Sequence, residues 1–327
     1  MGMIMEHTEY ANLPGVSWSS LKDLAVSPLR FWYWWINPNR PERPTSAEMQ
    51  FGSALHCAIL EPDQFNERYA CMLSQADFPD GLLVTMDNLR QWMRDRGKTP
   101  KGSLKSDLIG QVRYEFEAGH AGEQPPLIWD LMVETADKEN TGKVQLAKAD
   151  WLRVIACAES LRGEPKMQEL LAEGEAEKFY EAKDPQTHML LRGLLDWVTP
   201  KYTLDVKTFQ QTKERSIAKT ISNALFYNGY IEQLYLYTTL RELNGEKGHL
   251  PVIAFVESVP PHEVRLQLLG PKVGGQATLY WITARQKVRR LIDLYYACRE
   301  RYGENPWREP RGIDTVEDMD LPQQAWS

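Results

Sequence analysis

Long apolar runs are missing from this chain of 327 residues. No stretch approaches the roughly 20 residues that a membrane helix requires. The opening Met1-Gly2-Met3-Ile4-Met5-Glu6-His7 lacks the basic start and apolar core of a secretory signal. Cysteine is scarce: Cys57, Cys71, Cys157 and Cys298 lie far apart, with no C-x-x-C pair. That spacing excludes a cysteine zinc site and a disulfide framework, and it predicts reduced thiols in a cytoplasm. Positive charge is in deficit, with a formal net charge of -7 and a pI near 5.5. A protein that coats nucleic acid by bulk charge is thereby disfavoured, whereas local basic patches on an acidic enzyme are not. Glycine-rich phosphate-binding motifs of helicases are absent too, so no ATP-driven motor is expected. What remains is ordinary for a globular protein: 43% hydrophobic and 25% charged residues, enough for one elaborated domain or a domain with a small insert.

The residues that carry most information lie at 190–208. Leu190-Leu191-Arg192-Gly193-Leu194-Leu195-Asp196-Trp197-Val198, Thr199-Pro200-Lys201 and Tyr202-Thr203-Leu204-Asp205-Val206-Lys207-Thr208 read as strand, turn and strand. Side chains alternate along a strand, so Asp205 and Lys207 share a face. A turn that brings Asp196 opposite them gathers two carboxylates and one ammonium among apolar neighbours, a costly cluster without a cation. Hard oxygen ligands from Asp196 and Asp205, with the Val206 carbonyl as an extra ligand, suit magnesium. A metal held there would polarise a phosphoryl oxygen and activate water, with Lys207 orienting that water or offsetting charge. The same residues also read as an ordinary same-face ion pair beside a strand end.

Along the rest of the chain, residues 9–36 predict a short helix capped by Ser19 or Ser20, broken or restarted at Ser27-Pro28, and followed by the aromatic run Phe31-Trp32-Tyr33-Trp34-Trp35. So dense an aromatic cluster reads as core or subunit interface before base-stacking platform. After a proline-rich loop, Thr45-x-x-Glu48 forms a capping box for a helix that ends before Glu61-Pro62 and sets Gly52 and His56 on one face. Residues 118–140 read as loop-rich. Helices are expected through Leu146–Ile155 and Met167–Leu171, and Glu175-Ala176-Glu177-Lys178-Phe179-Tyr180 opens the first strand of the sheet. There Glu177 is a further acidic candidate or an exposed strand glutamate. Residues 209–229, with Lys213, Arg215 and Lys219, suggest a mobile segment near a phosphate backbone. A helix from Tyr230 puts Gln233 and Tyr237 one turn apart. Strands at 252–257 and 264–269 and a helix over 277–301 follow.

One stretch is locally basic. In 82–113, Arg90, Arg94, Arg96, Lys98, Lys101, Lys105 and Arg113 outnumber Asp87, Asp95 and Asp107. Two helices, capped at Thr85 and Ser103, flank an extended Gly97–Gly102 loop. This pattern resembles SAP-like nucleic-acid-binding motifs, which makes Arg94, Lys98, Lys101 and Lys105 candidate DNA contacts; a charged surface hairpin fits as well.

In order, Gly52-x-x-x-His56, Asp196, Asp205-x-Lys207 and Gln233-x-x-x-Tyr237 resemble the motif series of the PD-(D/E)XK nuclease superfamily in its RecB-like branch. The Ser19-Ser20 helix with Ser27-Pro28, Gly52-Ser53-Ala54-Leu55-His56, Asp205-Val206-Lys207-Thr208 and Tyr230-x-x-Gln233 look like RecE-type phage exonucleases (exodeoxyribonuclease VIII), over about residues 15–80 and 170–307. The resemblance implies an α/β fold with a restriction-endonuclease-like mixed sheet flanked by helices and a small helical insert. Its expected divisions are 1–81, an N-terminal helical part bearing His56; 82–117, the basic insert; 118–307, the nuclease core; and 308–327, a flexible acidic tail. It implies magnesium, with manganese as a substitute, held by His56, Asp196, Asp205 and Val206. Lys207 would be the catalytic lysine, and Gln233 and Tyr237 would steady the substrate backbone or that lysine. It also implies resection of the 5′ strand at duplex DNA ends for recombination by annealing, a homo-oligomer of ring shape, and a phage single-strand annealing protein as partner. Aspartate at 205 stands where many relatives have glutamate, and Asn305-Pro306-Trp307 matches their Trp-Pro ending only loosely. Cys298, alone in the C-terminal third, excludes the iron-sulfur cluster of one branch. Two further readings stay open: a DNA-binding or assembly protein on a nuclease fold that has lost catalysis, and a structure-specific or single-strand endonuclease with the same site.

Overall fold

The structure is a computed structural model that describes residues 10, 13–78, 80–119, 124–211, 215–270, 272–273 and 276–308, with 272, 273, 276 and 277 described by their backbone alone. The acidic tail beyond 308, the first nine residues and Lys213 therefore lie outside the described residues. Two compact units are present, one of residues 50–159 and one of 1–49 with 160–327.

The 50–159 unit is mostly helical. It holds all but the first turn of helix Ala47–Leu60, then helices Pro62–Arg68, Met86–Asp95, Lys105–Gly119, Trp129–Glu139 and most of Lys148–Gly163, with strands β1 (Tyr69–Cys71) and β2 (Val144–Leu146) paired in parallel. Thr85 and Asn88 form a reciprocal capping box at the start of Met86–Asp95. Leu83, Leu89, Met93, Leu108, Val112 and Ile128 make a separate small core here, so the basic stretch folds as a helical hairpin. The expected loop-rich segment 118–140 instead contains helix Trp129–Glu139, whose Leu131 packs against that core. Gly119, Gly122, Pro125 and Pro126 end just before it, and the local breakers masked the helix behind them. Leu146, expected in a helix, belongs to β2, and the helix begins at Lys148.

The larger unit is built on a five-stranded sheet ordered β3 (Glu175–Lys183), β4 (Leu190–Val198), β5 (Tyr202–Phe209), β6 (Leu250–Glu257) and β7 (Val264–Leu268). Only β5 and β6 run parallel; the other pairs are antiparallel. A parallel neighbour needs a crossover, and helices Ile217–Tyr227 and Tyr230–Leu243 provide it. β6 is buried along nearly its whole length, as expected for a strand covered on both faces. Helices Trp18–Val26, Tyr230–Leu243 and Leu279–Tyr302 contribute Leu21, Leu24, Leu234, Leu240, Val288 and Leu291 to the same core as Leu195, Ile253 and Phe255.

Local chemistry explains several boundaries. Helix Trp18–Val26 is capped by Ser17, with Ser20 answering from the third helical position, rather than by Ser19 or Ser20 as expected. Adjacent serines compete as caps, and the extended backbone at 17 decides between them. Likewise Ser46, not Thr45, accepts the Met49 N–H at the start of Ala47–Leu60. Phe31 of the aromatic run is buried and stacks on Trp307 at 5.0 Å. Residues 209–229, expected as a mobile polar segment, contain helix Ile217–Tyr227, capped by Ser216 and burying Ile221 and Leu225. Its apolar stripe recurs every fourth residue and is thin enough to be hidden among polar neighbours. Among the described residues no helix is long and apolar enough to cross a membrane.

Candidate functional site

β4 and β5 are joined by the predicted three-residue turn, yet they pair only at Trp197 with Leu204 and Val198 with Thr203. Beyond that point they separate. On the β4 side, Val16 occupies the free edge through a parallel bridge to Leu191, with Val16 N–H to Leu190 O and Arg192 N–H to Val16 O both at 2.9 Å. Asp196 and Asp205 stand where the strands begin to part. Asp196 Oδ2 accepts the Val206 backbone N–H at 2.8 Å, a side-chain bond that replaces a rung of the interrupted ladder. The N–H and C=O of one residue in an extended strand face the same edge, so the Val206 carbonyl also faces the gap.

Asp205 is 1% exposed and its Oδ2 lies 2.7 Å from Lys207 Nζ. Same-face alternation along β5 thus brings these two together as the sequence implied. Burial pushes the Lys207 ammonium down, but the carboxylates of Asp205 and Asp196 and the hydrogen bond to Asp205 outweigh it and raise its pKa above the ordinary lysine value. Lys207 is therefore a fixed cation and a hydrogen-bond donor. The Tyr230 ring lies 5.5 Å from its nitrogen.

Gln233 and Tyr237 meet one turn apart on helix Tyr230–Leu243. Gln233 Nε2 donates to Tyr237 Oη at 2.9 Å and to Asp205 Oδ1 at 3.3 Å. Gln233 thus bonds Asp205 directly, and Tyr237 is joined to it through Gln233. Burial, with Tyr10, Asp205 and Asp196 nearby, raises the Tyr237 hydroxyl well above its ordinary pKa and keeps it neutral, against a smaller opposing effect of the Gln233 bond.

Two positioning residues escaped sequence reading. Arg241, 1% exposed on that helix, donates to Thr199 O, Tyr202 O and Thr203 Oγ1, each at 2.8 Å, and pairs with Glu246. It clamps the β4–β5 turn to the helix that holds Asp205. Gly193 of β4 is the other: a Cβ there would lie 2.9 Å from Leu240 and 3.0 Å from the Tyr237 ring. Long-range partners of this kind leave no local sequence signal.

Glu177 is half-buried rather than an exposed strand glutamate. It stands opposite Asp196, between the registered pairs Ala176–Trp197 and Lys178–Leu195, at a positive φ of 49°. Ligand atoms of the Glu177 and Asp196 carboxylates lie within 4.8 Å of each other. Glu177 thus adds a carboxylate beside Asp196, while Asp196 and Asp205 are the carboxylates that act on the Lys207 ammonium. Directly opposed like charges destabilise a strand pair, and partly buried carboxylates call for a counter-cation. Hard oxygen donors with a backbone carbonyl beside them suit Mg2+ or Mn2+, so the residues present fit a divalent metal.

His56 is half-buried on Ala47–Leu60, in the 50–159 unit. In the same unit, Lys98 pairs with Glu115 and Lys105 with Asp130, both at 2.5 Å, while Arg94 and Lys101 are exposed. Arg215 and Lys219 are exposed at the start of Ile217–Tyr227.

No curated protein matches this chain. Among solved structures it is similar to one described as "Putative exonuclease" from Eubacterium rectale, at 14% identity and a TM-score of 0.38, covering 86% of this chain and 99% of that one. So distant a likeness carries no functional argument. A family model described as a PDDEXK-like domain of unknown function (DUF3799) matches residues 17–308, a span that includes Asp196, Asp205, Lys207, Gln233 and Tyr237. Mixed sheet, parted hairpin and family match agree, and the chain belongs to the PDDEXK-like family DUF3799.

Proposed function

We propose that this chain is a magnesium-dependent deoxyribonuclease of RecE type that resects the 5′ strand of linear duplex DNA ends. The observation that carries the reading is the meeting of Asp196, Asp205 and Lys207 where β4 and β5 part, with Gln233 and Tyr237 behind Asp205. Asp196, Asp205 and the Val206 carbonyl would hold Mg2+, for which Mn2+ would substitute, joined by Glu177 and, through the family resemblance, by His56. A metal there supplies Lewis acidity toward a phosphoryl oxygen and a lowered pKa for bound water. Lys207, held as an ammonium, sets positive charge and N–H donors where negative charge grows as water oxygen bonds to phosphorus and the ester P–O bond breaks. Gln233 keeps Asp205 turned toward the gap, and Tyr237 holds Gln233. Neither iron-sulfur chemistry nor ATP has a part in this reading.

Action at ends, 5′ polarity, a ring-shaped homo-oligomer, a phage single-strand annealing partner and a bacterial cytoplasmic setting come from the RecE-type resemblance. Linear and covalently closed duplexes, the linear one labelled at a single 5′ or 3′ end, incubated with Mg2+ and with EDTA, test the reading. Loss of the 5′ label from linear DNA only, abolished by EDTA and in Asp205→Ala and Lys207→Ala variants that remain folded, is expected. Cleavage of closed circles would transfer the site to the endonuclease reading. Full activity in either variant would overturn the assignment of the site.

A further inference from the structure

A second lysine approaches the site from outside the sheet. Helix Trp18–Val26 is tied down at its start, where Val16 bridges to Leu191 on the edge that β4 exposes as it leaves β5. Trp18 packs over Gly229, so closely that a Cβ at 229 would lie 2.6 Å from its ring. Gly229 caps the helix of Gln233 and Tyr237, and the next residue, Tyr230, is the one whose ring lies beside Lys207. Lys22 follows Trp18 by four residues and so lies on the same side of the helix, one turn on. It is exposed.

Its neighbour Asp23 does not neutralise it. Asp23 accepts from Arg30 at 2.8 Å, from Trp35 at 2.9 Å and from Arg43, and among the described residues Lys22 takes no ion-pair partner. An unneutralised ammonium is thus carried to the rim of a cluster of carboxylates. The charges sense one another: partial desolvation and the Lys207 ammonium lower the Lys22 pKa, while Asp23 and Asp205 act in the opposite direction.

We propose that Lys22 is a substrate-binding residue of this site, taking a backbone phosphate of the nucleic acid while Lys207 serves the scissile one. The proposal rests on the nuclease reading for its substrate class, a phosphodiester chain. A phosphate anion is what this placement recognises: the carboxylates beneath need a metal, and the strand that crosses them needs a cation outside the metal's own shell. An exposed lysine on an anchored helix supplies that charge at a smaller desolvation cost than a fully buried one.

The test compares wild type with Lys22→Ala, Lys22→Gln and Lys22→Arg in two assays. In Mg2+-dependent digestion of linear duplex, the Ala and Gln variants should raise KM by about tenfold with kcat nearly unchanged, and Arg should restore KM. In fluorescence anisotropy with a labelled duplex and Ca2+ in place of Mg2+, the same two variants should weaken binding and flatten the slope of log K against log salt by roughly one. Thermal unfolding should not move, since no ion pair is lost. Unchanged KM, affinity and salt slope overturn the proposal, as does a lowered Tm without those changes. Should the wild type cleave no DNA with any divalent cation, the nuclease reading falls, and the binding assay alone still decides Lys22: unaltered or absent DNA binding rejects it.

Discussion

Asp196 Oδ2 and the backbone N–H of Val206 are 2.8 Å apart across the gap where β4 and β5 part, so one carboxylate closes an interrupted ladder and is also a proposed metal ligand. These two duties separate by substitution. Asp196→Asn retains an acceptor oxygen for Val206 and should keep the fold while losing metal-dependent cleavage. Asp196→Ala leaves a buried N–H without its partner and should also destabilise by about 1–3 kcal/mol. Urea midpoints beside activity resolve the two, and equal stability of both variants would show that the ladder does not need the side chain.

Gly193 lets the Tyr230–Leu243 helix approach β4. In Gly193→Ala the new methyl meets Tyr237 and Leu240 at about 3 Å, and the helix must yield or the ring must turn. The expected result is a loss of about 1–3 kcal/mol in stability with a larger fall in kcat than in substrate affinity, because Tyr237 holds Gln233 and Gln233 holds Asp205. Unaltered kcat would mean that the Tyr237 contact does not steer Asp205.

Among the described residues, the buried side chain of His249 has no hydrogen-bond partner on either ring nitrogen. Burial and then the Arg241 guanidinium push its pKa down to about 4, against a pull from Glu246. A folded pKa below the unfolded value of about 6.5 means that the unfolded chain binds the extra proton. Stability is therefore full above about pH 6.5 and falls as pH drops toward 4, by roughly 3 kcal/mol in all. A variant such as His249→Leu should show a flatter fall in unfolding free energy between pH 7 and pH 4.5. Identical pH profiles for wild type and variant would refute this.

In the helical hairpin, Lys98 and Lys105 are already engaged by Glu115 and Asp130, whereas Arg94 and Lys101 are exposed. If the hairpin contacts DNA, Arg94→Glu with Lys101→Glu should weaken binding and flatten its salt dependence, while Lys98→Ala should do less. Binding isotherms at several salt concentrations decide it, and an unchanged slope in the double variant would return the hairpin to a charged surface feature. Deleting 82–117 would also strip Ile128 and Leu131 of the core they share with the hairpin.

Much of the site was legible because its signals are local. Period-two alternation put Asp205 with Lys207, a three-residue turn returned Asp196 to them, and helical spacing joined Gln233 to Tyr237. Errors came where two local signals compete, as with Ser17 against Ser19 and Ser20, or where breakers and polar residues hid a thin apolar stripe, as in Trp129–Glu139 and Ile217–Tyr227. Glu177 looked like an exposed strand glutamate because a half-buried one has the same pattern.

By itself, the sequence of residues 190–208 determined the hairpin, the shared face of Asp205 and Lys207, and the oxygen-rich character that suits a divalent cation, since strand and turn geometry operate over neighbouring residues. Tertiary structure alone decided that β4 and β5 part beside Asp196, that Glu177 opposes it, that Arg241 clamps the turn and that Lys22 approaches the site. Those relations join residues dozens to hundreds of positions apart, and only packing of the helices onto the sheet selects them.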